Sequence, residues 1–192
     1  MNYPTREQQY VQAILSGNLG LRARLEHELD ELGRTEDERL SAPDALGKAA
    51  LWYAKQGVAV FPCEPRGKQP LTAHGFKDAS TDLAVVRAWW TATPAANIGA
   101  PTGITFDVID IDGPEGVGVI YGGDVQIPDE IGHAMTSRQA GHHVFIKPTG
   151  SGNRASMYPS VDFRGVGGYV VLPPSVGANG NRYVWTRPLD FS

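Results

Sequence analysis

The chain has 192 residues, 41% of them hydrophobic, which is enough to bury the core of one compact domain and leave room for an appendage. A formal charge of −4 and a pI of about 5.7 exclude a global polycation, so any contact with nucleic acid has to be local. The single cysteine, Cys63, excludes an intramolecular disulfide and a Cys-rich zinc module; with no apolar run of ~20 residues and no signal-peptide core, the expectation is a soluble, cytoplasmic protein.

In chain order, residues 1–43 read as a helical appendage. "REQQYVQAILSG" and "LRARLEHELDELGR" have helical spacing, with Tyr10 and Ile14, then Leu21, Leu25, Leu29 and Leu32, on apolar stripes. Residues 1–48 hold 9 Asp/Glu against 6 Lys/Arg, so much of the negative charge sits there, on a face read as solvated. An α/β domain is expected over 44–192. It opens with the amphipathic helix "DALGKAALWYAKQG", capped by Ser41 or Asp44 and stopped at Gly57, and the buried strand "VAVFPC". The loop "EPRGKQPLTAHGFKDAST" follows, then the helix "TDLAVVRAWWTATP" with Thr81 or Asp82 at its cap. "NIGAPTG" reads as a turn, "ITFDVIDID" as a strand, and the residues up to 133 as a less regular stretch. "HHVFIKP" is a strand, "VDFRGVGGYVVLPPS" reads as two short strands joined by a glycine-rich turn, and "NRYVWTRP" is the last strand.

Three segments carry possible chemistry. Because side chains alternate along a strand, Phe106, Val108, Asp110 and Asp112 share one face, while Asp107, Ile109 and Ile111 share the other. Asp110 and Asp112 therefore project together, as hard oxygen donors for Mg²⁺ or Mn²⁺ do, although two aspartates before a glycine also simply end a strand. In "AGHHVFIKP", His143, Phe145 and Lys147 share a face, and His142 takes the other; a histidine there can donate to a phosphate oxygen or be a satisfied core group. In "VDFRGVGGYVVLPPS", Asp162 and Arg164 face the same way, as a third carboxylate and a cation for a phosphoryl-transfer site or as an ordinary ion pair across a hairpin. Trp89 and Trp90 can stack on bases, but their helix favours core packing for at least one of them.

These elements, in this order, resemble the primase-polymerase catalytic domain of the archaeo-eukaryotic primase superfamily, found in plasmid, phage and prophage replication proteins. The resemblance spans about residues 46–187. It rests on "GKQPLTAHGFKDAST" for the family's G-K-x-P and G-[WF]-K-x-A-[ST]-x-D, on "ANIGAPTG", on "VIDID" for the metal-binding D-x-D, on "GHHVF" for the histidine motif, and on "VDFRGVGGYVVLPPS" with the later "YVW". "TSRQAGHH" departs from the usual T-P-S-G-G-x-H by one extra residue and by Ala140, which leaves His142 as a competitor of His143.

The resemblance implies a catalytic core in which an RNA-recognition-like sheet packs on an α/β unit. It implies that Asp110, Asp112 and Asp162 bind catalytic Mg²⁺ or Mn²⁺, that His143 contacts the nucleotide's phosphates, and that Arg164 and Lys68 belong to the nucleotide site. The basic groups Arg66, Lys68, Lys77 and Arg138, His142, Lys147 would then meet phosphates. The implied activity is template-directed nucleotidyl transfer in plasmid- or phage-type replication, in a bacterial or phage-infected cell. Its partners are single-stranded DNA, nucleoside triphosphates and a replicative helicase on the same or a separate chain, with no membrane. The rival readings are a nucleic-acid-binding initiation module without polymerase activity and a two-metal nuclease.

Overall fold

The computed structural model describes residues 44–122 and 125–190; the helical appendage expected over residues 1–43 lies outside them. Helix α1 (Ala45–Lys55) buries Ala49, Ala50, Tyr53 and Ala54, a single stripe at helical spacing. Helix α2 (Leu83–Ala92) starts where the Asp82 carboxylate accepts the backbone N–H groups of Ala84 and Val85 at 2.7 and 3.3 Å, donors that the first turn cannot satisfy itself. It buries Val86 and Trp90, four residues apart. Between the helices lie strand β1 (Phe61–Cys63) and a short 3-10 turn at Gly75–Asp78. The remaining elements are strands β2 (Asn97–Pro101) and β3 (Asp107–Ile111), helix α3 (Gly113–Tyr121), and strands β4 (Glu130–Met135), β5 (His142–Ile146), β6 (Arg154–Tyr158), β7 (Val161–Arg164), β8 (Tyr169–Leu172) and β9 (Val184–Arg187).

The strands form two antiparallel sheets, a smaller one in the order β1-β2-β8 and a larger one in the order β6-β7-β3-β5-β4-β9. One face of the larger sheet, the smaller sheet, α1 and α2 share a core that holds Tyr53, Val86, Ile98, Phe106, Val108, Phe145, Leu172 and Trp185. Burying each of the larger side chains stabilises the fold by about 1.5–3 kcal/mol. Tyr53 ties the layers together, because its hydroxyl donates to the Pro173 carbonyl at 2.6 Å and accepts from the Trp185 indole at 2.8 Å. On the opposite face of the larger sheet a second core forms from Ile109, Ile111, Val144, Ile146, Val161 and Phe163 under Ile120 of α3. The alternation expected along β3 is thus realised, with Phe106 and Val108 in one core and Ile109 and Ile111 in the other.

Three expectations need correction. "NIGAPTG" is not a turn, because Asn97–Pro101 is the buried central strand β2. Gly99 is there for space, since a Cβ would collide with the Phe61 ring and the Cys63 sulfur of β1. The stretch before residue 133 contains helix α3, whose glycines mask its helical period. Gly116 lets the helix lie close to the β6–β7 turn, where a Cβ would come within 2.5 Å of the Ser160 carbonyl. Finally, β7 and β8 are not a hairpin, since the glycine-rich turn between them carries the chain from the larger sheet to the smaller. Strand β6, mostly exposed and without apolar alternation, had no sequence signal. Among the described residues no helix is long and apolar enough to cross a membrane.

Candidate active site

Register across the larger sheet assembles the centre. Asp110 of β3 is opposite Asp162 on β7 and opposite His143 on β5, so the three side chains form one row across adjacent strands, on the side that faces the smaller sheet. Directly opposed side chains have Cβ atoms roughly 4.5–5.5 Å apart, a spacing at which two carboxylates repel unless a cation lies between them. Arg164, two residues beyond Asp162 and therefore on the same face, supplies it. Its Nη2 is 2.7 Å from Asp162 Oδ2 and 3.3 Å from Asp110 Oδ2.

Asp110 is only 8% exposed. Burial is the largest influence on its carboxyl and pushes the pKa up. The hydrogen bond and charge of His143, with the charges of Arg164 and Lys68, outweigh it and hold the group down at about 2. The other Asp110 oxygen faces His143 Nε2 at 3.4 Å, and His143 itself is buried with no partner for Nδ1. Asp162 also accepts the Ser156 backbone N–H at 2.7 Å, from the edge strand that sequence reasoning missed.

The row opens on a cleft of about 230 Å³, lined by Asp110, His143, Arg164, Lys68, Phe76 and Tyr169 among others. Lys68 and Phe76 come from the loop after β1, and Tyr169 from the start of β8. The Tyr169 ring is edge-on to Phe61 and tilted against Phe76, and its hydroxyl donates to the Lys68 carbonyl at 3.2 Å. One wall of the cleft is therefore aromatic, and the other carries the charged row.

Five of the residues singled out from sequence thus meet here: Asp110, Asp162, His143, Arg164 and Lys68. Asp112 does not join the row. It follows the last residue of β3 at the N-cap of α3, and its carboxylate is ion-paired with Arg138 at 3.0 Å. The position of Arg138 had no sequence signal tying it to Asp112, because the pair joins segments that only β3–β5 pairing brings close. The basic group of Arg138, His142 and Lys147 is not a cluster, since Arg138 lies in the β4–β5 connection, His142 opens β5 and Lys147 lies just past its far end. Asp162 and Arg164 pair along one strand and not across a hairpin. Of the tryptophans, Trp90 is core, its indole donating to the Ala96 carbonyl at 2.9 Å, and Trp89 packs partly buried against the same cluster.

Residues 50–191 match Prim-Pol, the family of bifunctional DNA primase/polymerase N-terminal domains. The chain belongs to this family. No curated protein is similar enough to the Prim-Pol chain to count as a relative. The family is one of DNA primases and polymerases, nucleotidyltransferases that bind DNA and nucleotides and generally depend on divalent metal.

The donor set of this Prim-Pol domain fits such a metal in kind. Asp110 and Asp162 offer hard oxygen donors toward one point, and a positive group already occupies it, the shared Nη2 of Arg164. Among the described residues no three His, Cys, Asp or Glu side chains converge as ligands, and the Asp112 carboxylate is engaged by Arg138.

Proposed function

We propose that this Prim-Pol domain, residues 44–192, extends nucleic acid strands on a single-stranded DNA template. The observation that carries the reading is the row Asp162–Asp110–His143 on the cleft side of the larger sheet, with Arg164 between the two acids. Asp110, Asp162 and Asp112, once free of their arginines, would hold Mg²⁺ or Mn²⁺. When bound, such ions neutralise charge at the α-phosphate and lower the pKa of the attacking hydroxyl.

The chain's own residues bind and orient. Arg164 and Lys68 face the cleft and would take the β- and γ-phosphates, so that pyrophosphate leaves toward fixed positive charge as the 3′-oxygen bonds to the α-phosphorus. His143, buried beside Asp110 and lining the same cleft, would hold that carboxylate in place and meet the phosphates from there. Phe76 and Tyr169 form the wall for the sugar or base. The finer proposals are an RNA-recognition-like larger sheet, a two-metal mechanism, plasmid- or phage-type replication, and a helicase partner.

The test supplies a single-stranded template, labelled nucleotides and Mg²⁺ or Mn²⁺, with and without a primer. Template-dependent product that disappears in Asp110→Ala supports the reading. Binding without extension under either metal would leave a template-binding module, and shortening of the strand without added nucleotides would make the domain a nuclease.

A further inference from the structure

Each carboxylate of the proposed site already has a cation belonging to the chain. Arg164 serves Asp162 and Asp110 together, and Arg138 serves Asp112. Both arginines have room to leave. The Arg164 side chain is 33% exposed and lines the cleft, and that of Arg138 is 62% exposed. A divalent cation arriving alone meets acids that are each already ion-paired. To coordinate Asp110 and Asp162 it has to expel the Arg164 guanidinium into a cleft where the described lining adds the positive Lys68 and no carboxylate besides Asp110. A nucleoside triphosphate removes that obstacle, because a guanidinium fork binds phosphate oxygens as well as it binds carboxylate.

We propose that Arg164 and Arg138 are exchangeable counter-ions, held by the carboxylates until a triphosphate binds and then transferred to it, so that metal and nucleotide enter as one unit and each alone binds weakly. This rests on the function proposed above and adds the order and coupling of binding. Linkage requires the coupling to be reciprocal, the nucleotide tightening the metal by the factor by which the metal tightens the nucleotide.

The experiment uses the full chain and two titrations, one of Mn²⁺ alone followed by the paramagnetic signal of the free ion. The other follows a fluorescent nonhydrolysable nucleoside triphosphate by anisotropy, in EDTA and in excess Mn²⁺. Wild type should bind Mn²⁺ alone weakly and gain at least about tenfold in nucleotide affinity from the metal, the scale of one charge-assisted hydrogen bond. Arg164→Gln and Arg138→Gln should each bind Mn²⁺ alone about tenfold more tightly than wild type, yet bind the nucleotide less tightly with Mn²⁺ present. Because Arg164→Gln uncovers a buried carboxylate, Arg138→Gln, which opens an exposed pair, makes the same test without touching the core. Arginines with only a structural role would weaken both titrations when replaced. Variants that bind Mn²⁺ no better than wild type, or a wild type that binds Mn²⁺ tightly without nucleotide, would overturn the coupling and leave the metal reading standing. Failure of Mn²⁺ and of nucleotide to bind in any arm would overturn the proposed function and the coupling with it.

Discussion

Asp107 and Asp110 lie three residues apart on one strand, both buried, and look out of opposite faces of the larger sheet. On the far face Asp107 is held by neutral donors, the backbone N–H and the hydroxyl of Thr149 at 2.7 and 2.8 Å, and its other oxygen has no partner. On the cleft face Asp110 is held by charged or ionisable groups, Arg164, His143 and Lys68, beside a second carboxylate. A neutral cradle fixes a carboxylate for good, because no incoming ligand competes for an amide and a hydroxyl. A cationic one can be exchanged. The pairing partner, more than burial, separates an aspartate that holds the fold from one available for chemistry.

The strongest way to break this contrast is Asp110→Asn. It should lower template-dependent extension by about a thousandfold or more, with the fold retained, as measured by primer extension beside thermal unfolding. If extension persists, the cleft-face aspartate is not part of the chemistry. Next is Ile109→Ala on the far face, which should cost about 2–5 kcal/mol of stability in urea unfolding while each folded molecule still extends primers. Loss of activity in excess of the unfolded fraction would mean that the two faces are not separable.

Thr149→Val strips one of the two donors from Asp107 and should cost about 1–3 kcal/mol with extension unchanged. Asp107→Asn should be milder still, within about 1 kcal/mol, since the amide oxygen can accept both Thr149 donors and no cation is left unpaired. Equal damage from Asp107→Asn and Asp110→Asn would mean that the alternation along β3 carries no functional distinction.

The finest test is acid titration of stability, in which the faces should differ in pH window. The folded pKa of Asp110 lies below its unfolded value, so its contribution is complete above about pH 4 and is lost only as pH falls toward about 2. On the far face His133 and His142 stack at 5.0 Å. Burial first, then neighbouring positive charge, lowers both pKa values, that charge coming from His142, His143 and Arg187 for His133 and from His143 for His142. Their unfolded forms take up protons first, so stability should begin to fall below about pH 6.5. Urea unfolding at stepped pH should show both slopes, the upper one removed by His133→Gln with His142→Gln and the lower one by Asp110→Asn.

Much of this contrast was legible in the sequence, because the pleat obliges residues 106 to 111 to alternate and the apolar members fix the register. Helices α1 and α2 were legible for the same reason, through spacing and the Asp82 cap. What stayed hidden was whatever depends on a distant neighbour. Gly99 looks like a turn residue unless the ring of Phe61 is known to press on it, and Pro101 unless its pairing with β8 is known. The glycine turn after Arg164 announces a reversal but not that the chain changes sheets, and Ala-Ser-Met in β6 gives no alternation to read. For the site, the resemblance supplied candidates, and parity grouped Asp110 with Asp112 and set both apart from Asp107. That Asp112 would be engaged by Arg138, and that one arginine would serve both other acids, required the three-dimensional pairing.

The route of the chain between the sheets has a consequence for how the domain is made. It leaves the smaller sheet after β2, lays down β3 to β7 in the larger one, returns for β8 and crosses again for β9. A ribosome therefore delivers Asp110 some fifty residues ahead of Asp162, and the Tyr169 wall later still. A growing chain has acids but no cleft, and pairing across such sequence separations closes slowly. The site comes into being nearly at once, when the last third of the domain is available, and a protease cut in the crossover before β3 or in the one before β8 should abolish it whole.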